Sequence, residues 1–427
     1  MKIQLPPLLI MFVFALPAAF GQQWSKKFVK QDILYMKGDY KLAREQNHNL
    51  KIKIKTTLGP QNAYTALAQF KDAKYHAGAG YFNAYRRSIY RGFSIAQGTT
   101  GRNNPDYARI VLEGITVLVK YGDYAQAEVL LNQVSQILTD YNNKDVNLEH
   151  KKDYLLAQVY AGQGRYRESL DLFIKVRDYM ADLTIATEVQ DNFISVGKHK
   201  SRKLSAFEIK QNKRSYASYL HLTGKLYTKT NQPAKADSAF NVARVWISNN
   251  LSGKDYSMLQ YEFQQIKMNA ASDSSENSIA RLDQLIKRAE GSLNKNQELV
   301  LDMKYTLLEW YQKKNKSGKY NSLKAHLANI NEKYYDKKNI NQDRLAFIVL
   351  KEKSETKTDP DRINAAKSLL KGSVSLPEFH ELRIEILQFL LAKSKEGGLP
   401  AESEHYLLQI ESVKKGLYGE NAPIVSS

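Results

Sequence analysis

The sequence contains no cysteine and few prolines, glycines or histidines, with 10, 22 and 8 of these among 427 residues. Without cysteine the chain forms no disulfide, no thiolate metal site and no lipid anchor through cysteine, and it has no cysteine nucleophile. Proline and glycine interrupt helices, so their scarcity favours helices over strands. We predict an all-α protein held together by its hydrophobic core alone.

Sequence patterns of catalytic and metal sites are missing as well. No two of the 8 histidines lie four residues apart, as a helical zinc site requires. Ser368 and Lys371 match the Ser-x-x-Lys pattern of penicillin-recognising enzymes, but the accompanying Ser-Asp-Asn and Lys-Thr-Gly motifs are absent. The glycines at positions 78, 80, 162 and 164 follow no predicted strand, and turns between helices explain them. We predict no catalytic residue, no cofactor, no metal and no enzyme activity.

The N-terminal segment, residues 1–21, has the features of a secretory signal peptide. Lys2 precedes an apolar run from Leu5 to Phe20, and Ala19-Phe20-Gly21 matches a small-x-small cleavage site. A membrane anchor is the alternative interpretation, although the run is short for a bilayer span. We expect export to the periplasm or cell surface of a Gram-negative bacterium, which argues against nucleic acid as a partner.

Charge of one sign dominates the chain, whose formal net charge is +19. The chain is nevertheless 43% hydrophobic and 25% charged, a composition of folded rather than disordered proteins. An excess of positive charge favours anionic partners in general. We expect an acidic protein or peptide partner, with an anionic envelope surface as a second expectation.

An internal repeat with a constant step organises the N-terminal half. Four glycines with this 42-residue spacing each precede an aromatic residue by two positions, namely Gly38, Gly80, Gly122 and Gly164. A second marker has the same spacing half a repeat later, at Gly59, Gly101 and Asn143. Glycine suits the left-handed backbone of a tight turn, so the pattern predicts one helical hairpin per repeat.

The repeat resembles the tetratricopeptide repeat, in the 42-residue variety found in kinesin light chains. The stretch from Gly101 to Ala108, Gly-Arg-Asn-Asn-Pro-Asp-Tyr-Ala, is similar to the linker between hairpins of that variety. The clearest match to the family's Leu, Gly, Tyr, Ala, Phe and Ala positions is Leu220, Gly224, Tyr227, Ala236, Phe240 and Ala243. The resemblance implies an all-α superhelical solenoid of helix-turn-helix repeats, in which a concave groove binds peptide or protein segments.

The resemblance also implies which residues line the groove, since the first helix of each hairpin faces it. The outward-facing residues expected there are Arg109, Thr116, Lys120, Tyr154, Gln158, His221, Lys225 and Lys229. Their basic and aromatic character favours an acidic, extended segment.

The spacing divides the chain into segments. We assign residues 1–21 to the signal peptide, 22–180 to tetratricopeptide-like repeats, 181–214 to a basic insertion, 215–250 to a further repeat and 251–427 to degenerate helical repeats. The insertion is inferred because the step from Gly164 to Asn231 exceeds one repeat by more than half its length. Either it is a mobile arm that binds an anionic partner, or it is a solvated loop beside an extra helix. Its basic residues are Lys198, Lys200, Arg202, Lys203, Lys210, Lys213 and Arg214.

Two functions fit these features. The first is an exported, non-enzymatic scaffold in a secretion, motility or assembly machine of the cell envelope. The second is the sensor region of a signalling protein that lacks its membrane and kinase parts. The second hypothesis rests on residues 417–423, which resemble another linker between hairpins although no helix follows.

Overall fold

The computed structural model describes residue 24 and residues 27–141, 145–186, 188–191, 200–272, 276–335, 339–351, 360–372 and 376–419. The predicted signal peptide, residues 1–21, and Lys198 lie outside these ranges. The described residues form 19 α-helices and one pair of β-strands. None of the described helices combines the length and the apolar character needed to cross a membrane.

The described helices pair into nine antiparallel hairpins. Their first helices are α1 (residues 27–37), α3 (Ala63–Gly78), α5 (Pro105–Lys120), α7 (Val146–Gly162), α10 (Ala206–Lys229), α12 (Tyr256–Ser272), α14 (Glu298–Lys313), α16 (Ile340–Leu350) and α18 (Glu381–Glu396). Their second helices are α2 (Tyr40–Leu58), α4 (Phe82–Thr100), α6 (Tyr124–Asp140), α8 (Tyr166–Lys175) with its continuation α9 (Arg177–Asp182), α11 (Pro233–Asn250), α13 (Glu276–Glu290), α15 (Ser317–Tyr334), α17 (Pro360–Gly372) and α19 (Pro400–Tyr418). The predicted all-α class is confirmed.

A short β-hairpin interrupts the helices within the predicted insertion. Strands β1 (Glu188–Asp191) and β2 (Lys200–Lys203) pair antiparallel, with Glu188 opposite Lys203. Helix α10 then begins at Ala206, where Ser205 and Glu208 form a reciprocal capping box. The predicted boundary at residue 214 therefore falls inside α10. The sequence analysis did not foresee the strands.

The described turns within the hairpins share one backbone conformation. Gly38, Gly80, Gly122 and Gly164 have φ angles of 92°, 81°, 78° and 82°, in the left-handed region. Asn231 and Asn315 take the same conformation, with φ of 58° and 55°. These two residues are separated by two repeats. The repeat therefore continues into residues 251–427, which the sequence analysis assigned to degenerate repeats. Asparagine can replace glycine at these turns because it also tolerates a left-handed backbone.

Buried core residues also recur at a spacing of one repeat. Phe263, Tyr305 and Phe347 lie one repeat apart on successive first helices, and all three are buried. A glycine on the first helix lets the second helix approach closely, since a Cβ on Gly224 would lie 2.6 Å from the ring of Phe240. The tetratricopeptide pattern of small and aromatic residues is thus a packing pattern.

The solenoid completes one superhelical turn in six hairpins and then docks on itself. We call this contact the seam. Gly38 faces Gln297 and Gly80 faces Asn339, and the two pairs have the same separation along the chain. The backbone hydrogen bonds of the seam run from Asn294 N to Lys37 O (2.9 Å) and from Ile340 N to Gly80 O (3.3 Å). Further along, Arg86 Nη2 donates to the carbonyl of Phe379 at 3.3 Å, and the rings of Tyr124 and Tyr418 stack with centroids 6.2 Å apart.

Gly122→Ala and Gly318→Ala should change stability in opposite directions. At Gly122 the φ of 78° is unfavourable for alanine, so we expect a loss of about 1 kcal/mol in the free energy of unfolding. Gly318 lies inside α15 with open space around it, so alanine should add about 0.5 kcal/mol through its higher helix propensity. Urea unfolding followed by circular dichroism measures both. Equal shifts would contradict the assigned turn.

Candidate functional site

A cavity of about 920 Å³ lies between the two superhelical turns, and we call it the central cavity. The first turn contributes residues at hairpin turns, including Phe82 and Lys120. The sixth hairpin, which ends the first turn, and the hairpins of the second turn contribute residues of the first helices α12, α14, α16 and α18, such as Lys267 and Trp310. Neither half of the chain encloses this volume without the other. A concave, partly aromatic cavity of this size is the usual form of a ligand site.

Most charges on the inner helices are neutralised by the adjacent repeat. Three ion pairs join residues one repeat apart: Asp32 with Lys74 (3.1 Å), Asp302 with Arg344 (2.6 Å) and Glu309 with Lys351 (2.8 Å). Burial alone would raise the pKa of Asp32, but Lys71 and Lys74 lower it to about 2. These charges are already paired within the protein.

Lys225 and Lys267 occupy equivalent positions on neighbouring first helices. Two cations therefore follow each other there, where other positions have a cation and a carboxylate. Lys225 Nζ donates to Gln264 Oε1 at 3.0 Å, and the structure describes no carboxylate partner for Lys225, Lys229 or Lys267. Burial, Lys267 and Lys229 together lower the pKa of Lys225 to about 8. We call these three residues the lysine cluster. Of the three, Lys267 lines the central cavity, so the uncompensated positive charge reaches the cavity wall through Lys267.

Lys120, which we predicted to line the groove, lines the central cavity, and its side chain reaches across the seam. Its Nζ lies 2.6 Å from Oε1 of Glu298, at the start of α14. The hydroxyls of Tyr35 and Tyr121 also donate to this carboxylate, at 3.2 and 3.3 Å. Burial and the charge of Glu298 raise the pKa of both tyrosines well above 10, so they remain neutral donors.

Two other predicted groove residues have partners within the protein. Arg109 pairs with Asp106 at 2.7 Å and with Asp145 at 3.2 Å, which links neighbouring hairpins. The hydroxyl of Thr116 donates to the carbonyl of Leu112 in the preceding turn of its own helix. Arg109 is half-buried, and its guanidinium is occupied by these two carboxylates rather than free in the groove.

The prediction for His221 is wrong. His221 is 8% exposed and lies between the rings of Phe240 and Tyr261, so it cannot line a groove. Burial and Lys225 lower its pKa to about 3. His221 lies one repeat before Phe263, which is one of the buried residues that recur on successive first helices. This spacing could have shown that His221 is buried. Tyr154 also packs against the core, and Gln158 donates weakly to the carbonyl of Tyr154.

The basic insertion is partly anchored. Lys200, Arg202 and Lys203 belong to β2, whereas Lys210, Lys213 and Arg214 belong to α10. Lys210 and Arg214 both pair with the buried carboxylate of Asp255, at 2.8 and 2.9 Å. Burial would raise the pKa of Asp255, but these two cations lower it. Lys210 and Arg214 are therefore paired with a carboxylate of the protein, although the side chain of Lys210 is 46% exposed.

Several residues of the site were missed because the second half looked degenerate. Lys267, Glu298 and Trp310 all line the central cavity. Lys267 could have been predicted from its spacing of one repeat from Lys225. A second cavity, of about 1090 Å³, lies along α2 at the seam and is lined by Lys41 and Arg44 among others. Among the described residues, no three His, Asp or Glu side chains are grouped to hold a metal.

Comparison with solved structures finds related folds. Rap protein complexed with Competence and Sporulation Factor matches with a TM-score of 0.55 and 11% identity, over 93% of this chain and 99% of that chain. A putative kinesin light chain from Podosopora anserina with nearly identical TPR-like repeats matches with a TM-score of 0.27 and 12% identity, over 64% of this chain and 97% of that chain. No family model and no curated protein matches the sequence.

The fold is thus that of a tetratricopeptide-like helical-repeat protein, as the resemblance implied. This conclusion rests on the hairpins of the structure and on the first of the two likenesses, since the second is too distant to carry an argument. At 11% identity the likeness establishes the fold alone.

Glu298→Lys should open the seam. A lysine there would face Lys120 and would remove the acceptor of two tyrosine hydroxyls. Because the Lys120–Glu298 pair is partly exposed, we expect a loss of about 1–2 kcal/mol in the free energy of unfolding. Small-angle X-ray scattering should show a larger radius of gyration. The control is Glu332→Lys on the exposed face of α15, and an unchanged radius in both variants would contradict the role of the seam.

Proposed function

We propose that the chain is a non-catalytic binding protein that holds an extended peptide or protein segment in the central cavity. The observation that carries this proposal is the cavity of about 920 Å³ whose walls come from both superhelical turns. An extended segment fits better than a folded domain, because a cavity of about 920 Å³ is too small to hold a domain. Aromatic side chains such as Trp310 and Phe82 offer apolar contact along the wall.

The segment we propose is acidic. The lysine cluster supports this, since Lys225, Lys229 and Lys267 have no described carboxylate partner, whereas neighbouring inner positions are paired. A carboxylate from the ligand would pair with these lysines, as carboxylates of the protein do with cations at other positions on the inner helices. It would also offset the burial and the repulsion from Lys267 and Lys229 that together lower the pKa of Lys225.

The solved Rap protein structure supports a ligand-binding role for the fold, since that structure is of a complex with Competence and Sporulation Factor. We further propose that this chain is exported and serves as a scaffold in a secretion, motility or assembly machine of the envelope. The apolar run of residues 5–20 supports export. The alternative, a sensor region of a signalling protein, would use the same cavity.

Selection of ligands from a random peptide library displayed on phage tests the proposal. We expect enriched peptides to be rich in aspartate and glutamate. The double variant Lys225→Glu with Lys267→Glu should weaken their binding at least about tenfold, because attraction becomes repulsion at the wall. Fluorescence anisotropy with a labelled synthetic copy of one selected peptide measures the affinity.

Two further variants complete this experiment. Lys254→Glu with Lys371→Glu changes the net charge equally at exposed positions away from the cavity and should leave the affinity unchanged. Ala270→Trp places a large side chain into the central cavity and should abolish binding. Full binding by Ala270→Trp, in a protein with an unchanged circular dichroism spectrum, would show that the cavity is not the site.

Binding of an acidic peptide should also depend on pH. Lys225 is charged below its pKa of about 8 and loses its proton above it, whereas the carboxylates of the peptide remain ionised. We expect the affinity to fall between about pH 7 and 9.5. Lys225→Arg should keep its affinity over this interval, because arginine stays protonated. The same pH dependence in both proteins would remove Lys225 from the binding site.

A further inference from the structure

Positive charge on the outer surface is concentrated on two helices, α2 and α4. Helix α2 has five lysines and arginines and a single acidic residue, Glu45. Helix α4 has three arginines and no acidic residue. In contrast, α13 balances three acidic residues with three basic ones, and α6 has no lysine or arginine. The imbalance therefore belongs to this part of the surface rather than to second helices in general.

The two helices present their cations side by side. They flank α3, which is buried along most of its length, so that their remaining faces point outward. Burial and the nearby cations Arg91 and Lys51 lower the pKa of Lys55. Arg91 on α4 is therefore close enough to act on a side chain of α2. Lys53, Arg87 and Arg91 are not buried, and no ion pair is described for them.

Apolar side chains lie among these cations. Leu42 and Ile52 on α2 are 44% and 50% exposed, and Tyr90 on α4 is 54% exposed. We call the surface formed by Lys41, Leu42, Ile52, Lys53, Arg87, Tyr90 and Arg91 the basic face. A free surface that combines unpaired cations with large apolar side chains has no explanation in the packing of the chain itself.

We propose that the basic face binds the surface of a bilayer that carries anionic lipid headgroups. Lysine and arginine attract such headgroups, while leucine, isoleucine and tyrosine enter the boundary between headgroups and acyl chains. A soluble polyanion would use the cations and gain little from Leu42 and Ile52. An acidic protein would need a complementary shape, whereas a bilayer adapts to a face of two adjacent helices. This site is separate from the central cavity and from the predicted basic insertion.

Vesicle sedimentation with the full chain tests the proposal. We expect binding to phosphatidylcholine vesicles that contain about 30% phosphatidylglycerol, and much weaker binding to phosphatidylcholine alone. The triple variant Lys53→Glu, Arg87→Glu, Arg91→Glu should bind at least about tenfold less. The double variant Ile52→Ser, Tyr90→Ser should bind about fivefold less. The apolar run of residues 5–20 is present in every protein compared, so differences report on the basic face.

A matched control separates the basic face from the overall charge. Lys254→Glu, Arg281→Glu, Lys371→Glu reverses three exposed cations elsewhere and should bind vesicles like the unaltered chain. An equal loss in this control would overturn the proposal, because net charge would then suffice. Vesicle binding that is insensitive to Ile52→Ser, Tyr90→Ser, with loss of heparin binding in the triple variant, would identify a soluble-polyanion site instead. Unchanged thermal unfolding confirms that each variant is folded.

Discussion

The central cavity depends on the register between turns of the solenoid. Each hairpin rotates the chain by a similar amount because each repeats the same packing, and small differences accumulate over one superhelical turn. Gly38 meets Gln297 and Gly80 meets Asn339 with the same separation along the chain. Had the repeats differed in length, the second contact would be out of step with the first. Equal repeat lengths on the two sides of the seam therefore keep its successive contacts in register.

The extra residues between Gly164 and Asn231 would disturb this register if they lay within the stack of hairpins. They instead include a β-hairpin and a lengthened start of α10. The ion pairs of Lys210 and Arg214 with Asp255 fasten that lengthened start to the loop before α12. The insertion is therefore tied to the hairpin that follows it in the coil. An insertion in a solenoid can be tolerated when it leaves the packed interfaces intact.

The sequence predicted the hairpins because their turns require a left-handed residue, and glycine marks that requirement visibly at Gly38 or Gly122. The requirement is less visible at Asn231 and Asn315, which meet it with a side chain that is common elsewhere. The hairpin of Asn231 was still predicted from its flanking residues, whereas that of Asn315 was assigned only to degenerate repeats. Assignment of groove residues from one repeat also failed at His221, whose burial follows from its spacing to Phe263. The closing of the coil could not be predicted, since it depends on the accumulated rotation of successive hairpins.

The central cavity and the basic face differ in how their charges are balanced. Along the inner helices, cations are matched by carboxylates one repeat away, as in Asp302 with Arg344, so a small cluster of lysines is conspicuous there. On α2 and α4 the cations have almost no acidic residues beside them on their own helices. An enclosed cavity favours a single, shaped ligand, whereas an open basic face favours an extended surface. Because the basic face points outward and the cavity inward, occupation of one does not obstruct the other, and the proposed segment can be held while the chain lies on a membrane.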